Sequence, residues 1–197
     1  MIINITNSKE FGDYTLKNFN QSNYNKKIIC VDGEDGIGKS TSITPSIAKN
    51  IQSKIISIDK YLKKEKGGYI DFIKYKDLEN DVLKAIKHNN VIIEGVLLLK
   101  ILERLKIKPN KFIYSTSQLW FDDWQEHKEL NREFSDIIKK EESNCELFSN
   151  ISNSDEKSKP YKLTNFRHEM YKYTYQYKPI DMADDVLCFL SDDWWKK

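Results

Sequence analysis

Short apolar runs alternate along this chain with segments whose apolar residues recur every three to four positions, and that alternation predicts strands and helices in turn. Lys27-Ile28-Ile29-Cys30-Val31 is brief and apolar and runs directly into a glycine-rich turn, so it reads as a buried strand. Over residues 40–50, Ile43, Ile47 and Ala48 fall at helical spacing, with Pro45 tolerable only in the first turn. Residues 54–58 form a second strand; beyond a lysine-rich loop ending at Gly67 and Gly68, Leu78, Val82, Leu83 and Ile86 mark an amphipathic helix. A strand at 91–93, a helix at 97–105 and a strand at 111–114 behind Pro109 continue the pattern. From residue 117 charged helix formers take over, with a helix expected at 127–140 and a serine- and asparagine-rich stretch at 143–158 that offers little core. A helix at 163–177, ended before Pro179, and a fifth strand at 185–190 close the series. Short apolar strands separated by helices imply a parallel sheet covered on both faces, because parallel neighbours need crossover connections. The expectation is an α/β fold: one domain over 1–197, a five-stranded parallel sheet between helices, and a lid or mobile insertion at about 117–160, with no internal repeat.

Composition narrows the partners. The 197 residues suffice for one sizeable core. With 32 basic against 30 acidic residues the net charge is +2, which is no broad signature of a nucleic-acid binder, so any anion site must be local. No stretch approaches the ~20 apolar residues of a membrane span, and residues 1–6 lack the basic and apolar regions of a secretory leader; a cytoplasmic protein is expected. Cys30, Cys145 and Cys188 show neither metal-ligand nor disulfide spacing, and Cys30 and Cys188 belong to apolar runs as core thiols.

The chemistry begins at Gly33-Glu34-Asp35-Gly36-Ile37-Gly38-Lys39-Ser40, which satisfies G-x-x-x-x-G-K-[ST] with a strand before it and a helix after it. Glycines let backbone N–H groups turn inward around phosphate oxygens, and the helix adds its positive end at the same place. Residues Gly33 through Ser40, with Thr41, are therefore the expected cradle for a nucleoside triphosphate, read as ATP with Mg²⁺. Lys39 would hold the β- and γ-phosphates, and the Ser40 hydroxyl would join the Mg²⁺ shell. A P-loop establishes phosphate binding and leaves the reaction open. No N-K-x-D guanine-reading motif occurs, so adenine is favoured only by default.

Two acids follow strands. Asp59 projects from the carboxyl end of the second strand, where it could orient an acceptor hydroxyl or simply cap the turn beyond. Glu94 ends the third strand, where it could accept hydrogen bonds from waters around Mg²⁺ or be an ordinary strand-end acid. The order D-G-x-x-G-x-G-K-S, Ile-Ser-Ile-Asp59, then Ile-Ile-Glu94-Gly95-Val96-Leu97-Leu98 resembles the uridine kinase and phosphoribulokinase group of P-loop kinases, and Tyr177-Lys178-Pro179 with Ala183-Asp184 is similar to that group's last helix and strand. The resemblance implies a P-loop NTPase three-layer sandwich, Asp59 as general base toward a small-molecule acceptor, and Glu94 serving the metal.

Kinases of this kind close an arginine-rich lid over the migrating phosphoryl group. This chain holds only Arg104, Arg132 and Arg167. Arg132, in the charged helix, could reach the γ-phosphate or sit on a solvated face beside Glu129 and Glu133; Arg167 could hold a phosphate or acceptor oxygen, or pair at the surface. Both are carried as candidate catalytic residues with Lys39 and Asp59. Tyr69, Phe72 or Tyr75 could stack on an acceptor, the lysine run before them reading equally as solvated loop. Tyr171, Tyr173, Tyr175 and Tyr177 are assigned no site. His88, His127 and His168 share no metal-ligand spacing, and Trp194 and Trp195 read as packing at a sheet edge or contact surface. The leading reading is an ATP-dependent kinase for a nucleoside or related sugar or vitamin; the alternative is a nucleotide-binding regulator that turns nothing over. The oligomeric state is open, a homodimer being one option.

Overall fold

The computed structural model describes residues 1–63, 69–152 and 163–191. Gly67, Gly68, Trp194 and Trp195 lie outside them, as does the serine- and asparagine-rich stretch beyond residue 152. Six parallel strands form one sheet: β1 (Ile2–Ile5), β2 (Ile28–Gly33), β3 (Ser53–Ser57), β4 (Asn90–Glu94), β5 (Lys111–Ser117) and β6 (Asp185–Phe189), in the order β1-β6-β5-β2-β4-β3. The expected five-stranded sheet is thus corrected to six. The addition is β1, a four-residue edge strand that pairs with β6 from Ile2↔Val186 to Ile5↔Phe189.

Alternation along the central strands explains the two covering layers. Ile29 and Val31 face one side, where they pack with α1 (Ser8–Asn18) and α2 (Thr44–Ile51) through Phe11, Tyr14, Ile47 and Ile51, and with Ile43 just before α2. Cys30 faces the other, with α3 (Tyr75–Ile86), α4 (Leu98–Leu105) and α7 (Asn165–Tyr177). Burial on both faces is what makes the runs apolar throughout rather than alternating. Cys30 and Cys188 are fully buried, as core thiols should be, and burial raises both thiol pKa values, Cys188 to about 11.

The helix α1 was not foreseen. Its start is nevertheless marked: the Asn7 side chain accepts from the N–H of Lys9 and Glu10, and Glu10 reaches back to the Thr6 N–H at 2.7 Å. Tyr14 fastens it to the sheet, donating to Asp185 Oδ2 at 2.8 Å beside Lys111, whose Nζ is 2.6 Å from the same oxygen. Gly12 sits inside this helix, where glycine costs about 1 kcal/mol relative to alanine.

Within the expected lid, the helix predicted over 127–140 is two helices. α5 (Gln118–Glu129) ends, Asn131 takes a left-handed φ of 47°, and α6 (Phe134–Ser152) begins anew. Both lie against α7: Trp120 packs on Tyr171 with ring centroids 5.0 Å apart, and Tyr171 donates to Glu141 at 2.7 Å. A short helix, α8 (Pro179–Met182), precedes β6. No helix among the described residues is long and apolar enough to cross a membrane.

Candidate functional site

All the candidate groups that follow strands meet on the carboxyl edge of the sheet. β2 lies between β4 and β5, and the chain passes to opposite sides of it before and after β4, so the loop leaving β2 occupies the switch point where open α/β sheets hold ligands. In-register pairing sets Glu94 opposite both Val31 and Ser57, and Gly33 opposite Ser115.

Gly33 is forced by its neighbour. Its φ is 140°, and an added Cβ would lie 2.0 Å from the Ser115 carbonyl oxygen, which instead accepts the Glu34 N–H at 3.2 Å. Beyond it the loop turns on Gly36 and Gly38 at positive φ and widens into a π-turn over Lys39–Ile43, in which Ser42 N and Ile43 N both donate to Gly38 O, at 2.9 and 3.1 Å. The wide turn has a cause in the sequence: Pro45 donates no N–H and crowds the carbonyl four residues earlier, so regular α-helix starts only at Thr44.

Lys39 is 7% exposed, and its ammonium donates to the carbonyls of Gly33, at 3.0 Å, and Glu34. Burial lowers its pKa, against the opposing pull of Asp32, Asp35, Glu94 and Glu34. Ser40 donates to Glu94, with Oγ 3.0 and 2.8 Å from the two carboxylate oxygens. Glu94 is 2% exposed, and that one hydroxyl is its side chain's sole hydrogen-bond donor among the described residues, which leaves most of its acceptor capacity unused. A hard-oxygen pair of this kind suits Mg²⁺ or its water shell. No group of three His, Cys, Asp or Glu among the described residues could hold a metal, so phosphate oxygens would have to complete any such shell.

Asp59 lies in a 3₁₀ turn, Ile58–Tyr61, directly after β3. Among the described residues its carboxylate caps no backbone N–H of the turn; Oδ1 accepts the Tyr69 hydroxyl at 2.8 Å. Gly95 permits that approach, since a Cβ there would come within 2.9 Å of Ile58. Tyr69 packs on Phe166 of α7 with centroids 5.5 Å apart, and its N–H is held by Glu169 Oε2 at 3.1 Å. Burial first, and Asp59 second, raise the Tyr69 phenol pKa.

These parts enclose a cleft of about 540 Å³ lined by Gly36, Lys39, Ser40, Asp59, Tyr69, Glu94 and Phe166 among others. The fold is a parallel α/β sheet covered by helices on both faces. It matches a solved structure of a possible uridine kinase from Bacillus stearothermophilus with a TM-score of 0.52 over 91% of this chain and 98% of that chain, at 12% identity. At that identity the likeness speaks for the fold. No family model matches the chain, and no curated protein matches it in sequence.

The structure brings Lys39, Ser40, Asp59 and Glu94 together and leaves the candidate arginines apart. Arg132 donates to Glu126 at 2.7 Å, lies 3.4 Å from His127 Nδ1, and lines a separate cavity of about 200 Å³ with Trp124 and Tyr175. Arg167 is exposed on the first turn of α7, next to Phe166, and its N–H is capped by Thr164 at 3.1 Å. The Glu34 side chain is likewise turned from the cradle, accepting from Thr116 Oγ1, Ser117 N at 2.6 Å and Ser117 Oγ. It ties the loop to the start of α5, and burial raises its pKa despite those donors.

Sequence reasoning missed Asp32. This fully buried carboxylate accepts from Gly33 N at 2.8 Å, Leu98 N at 3.1 Å and the Tyr173 hydroxyl, and Tyr173 in turn accepts Leu99 N at 3.1 Å. One side chain thus joins the phosphate loop, α4 and α7, and secures Leu97 in a left-handed φ of 59° that costs about 1–2 kcal/mol. Burial raises its pKa to about 6, opposed by hydrogen bonds from Tyr173 and Gly33, the Lys39 charge and the Leu98 hydrogen bond. Only an acid directly before Gly33 signalled it.

Proposed function

We propose that the chain is a small-molecule kinase that transfers the γ-phosphoryl group of ATP to an acceptor hydroxyl. The observation that carries this reading is that the P-loop residues Lys39 and Ser40 share one cleft with Asp59. Lys39 and the inward N–H groups of the loop bind the phosphates and stabilise charge as it moves onto the leaving oxygen. Mg²⁺ would be held by Ser40 and, through water, by Glu94, and when bound it neutralises phosphate charge. Tyr69 occupies Oδ1 of Asp59, so Oδ2 is the oxygen that takes the acceptor's proton. The acceptor oxygen bonds to phosphorus, the bond to the β–γ bridging oxygen breaks, and ADP leaves. Phe166 and Tyr69 supply an aromatic wall for a nucleoside, sugar or vitamin acceptor.

The test is ADP release from MgATP across a panel of nucleosides, sugars and vitamins, which on this reading depends on one acceptor class. A specific observation favours a second reading: no arginine of the described residues lines the cleft. On that reading the chain binds nucleotide as a regulator, and the panel gives saturable ATP binding with no acceptor-dependent ADP.

A further inference from the structure

A second depression adjoins the phosphate loop on the side of α1, which packs on edge strand β1, whereas Asp59 follows β3 at the opposite edge of the sheet. It measures about 400 Å³, lies between α1 and α2, and is walled by Phe11 and Gly12 on one side and Ser42, Pro45 and Ser46 on the other. Thr41 lines both this groove and the main cleft, so the two spaces meet at the end of the phosphate loop.

Gly12 is the odd residue there. It lies in the interior of α1 among residues with side chains, has none of the positive φ values that call for glycine, and a Cβ built on it would meet nothing within 4 Å. Neither backbone geometry nor packing among the described residues asks for the poorest helix former after proline. What its missing side chain does is keep the groove open and bare the helix backbone along one wall. The side chains of Ser8, Ser42 and Ser46 line the same groove and their hydroxyls make no hydrogen bond among the described residues, while Pro45 and the largely buried Phe11 border it with apolar atoms. Open backbone and unengaged hydroxyls with apolar atoms of Phe11 and Pro45 beside them suit a flat, polar-edged ring.

We infer that this groove takes the nucleobase and ribose of the nucleoside triphosphate, so that α1 is a wall of the nucleotide site. The inference rests on the nucleotide reading proposed above. With the triphosphate in the loop and the acceptor beside Asp59, the nucleoside has to leave the loop toward the other side, and the groove that meets the loop at Thr41 lies there.

Binding of MgATP and of magnesium tripolyphosphate to the full chain, followed by titration calorimetry, tests it. In Gly12→Leu the groove is filled by a good helix former. ATP should then bind roughly tenfold or more weakly, while tripolyphosphate changes by less than about twofold. Gly12→Ala, which adds one methyl to open space, should keep or raise Tm and shift ATP in the same direction by less; it decides the matter should Gly12→Leu fail to fold. Unchanged ATP affinity in both variants, or equal weakening of ATP and tripolyphosphate, overturns the groove assignment and leaves the phosphate site standing. If the wild type binds neither ligand, the nucleotide reading itself fails, and the groove assignment with it.

Discussion

Replacing Asp32 by asparagine probes the joint beneath the phosphate loop. The carboxylate is fully buried, and its pKa rises from 3.8 to about 6, chiefly because burial disfavours the charge. The sign follows from proton counting. Between about pH 4 and pH 6 the folded chain keeps a proton that the unfolded chain has lost, so this group's contribution to stability is complete below pH 4 and declines as pH rises through 6. At 1.36 kcal/mol per unit, the decline amounts to roughly 3 kcal/mol. Asp32→Asn cannot ionise but brings two N–H donors into a site whose Gly33, Leu98 and Tyr173 groups all donate, a mismatch of about 1–3 kcal/mol at every pH. In urea unfolding from pH 4 to pH 7.5, the wild type should therefore begin as the more stable protein, and its stability relative to Asp32→Asn should fall by roughly 3 kcal/mol by pH 7, enough to cancel or reverse the advantage. Comparing the two proteins at each pH cancels the other carboxylates. A constant difference would mean that burial does not perturb Asp32, and a difference that widens with pH would mean that the Lys39 charge outweighs burial.

Two further substitutions address the loop. Gly33→Ala places a methyl 2.0 Å from the buried Ser115 carbonyl at a φ of 140°, so overpacking and strain together should remove roughly 2–4 kcal/mol and lower Tm by about 5–15 °C; a Tm within about 1 °C of wild type would show that the strand ends are free to part. Lys39→Ala should weaken MgATP binding about tenfold or more in calorimetry, since a charge-assisted phosphate contact is lost, and undiminished affinity would remove the loop from the nucleotide site.

The glycine-rich turn between β2 and α2 was legible because its signal is local: glycine spacing, lysine and serine lie within eight residues, flanked by an apolar run and a helical repeat. Asp59 and Glu94 were legible for a related reason, since a short parallel strand delivers the residue at its carboxyl end to one edge. β1 and α1 were not, because Ile2–Ile5 is a four-residue edge strand and α1 buries only Phe11, Tyr14 and Thr15, a thin apolar stripe. The Asn7 and Glu10 pair was a readable start signal. Nothing local announces that Tyr173 reaches Asp32 across 141 positions, one of four alternating tyrosines each with a different acidic partner. The direction of Arg132 was equally hidden, for it depends on the break at Asn131 that turns the arginine back onto Glu126.

The central claim is that Asp59 acts on the acceptor while the loop beside it binds the donor. Asp59→Asn keeps an oxygen for the Tyr69 hydroxyl and removes the proton acceptor. MgATP affinity and acceptor-dependent ADP formation, measured on the same preparation, should separate: affinity within about twofold of wild type, turnover lower by about a hundredfold or more. Turnover that survives the substitution, or ATP affinity that falls in step with it, would contradict the account.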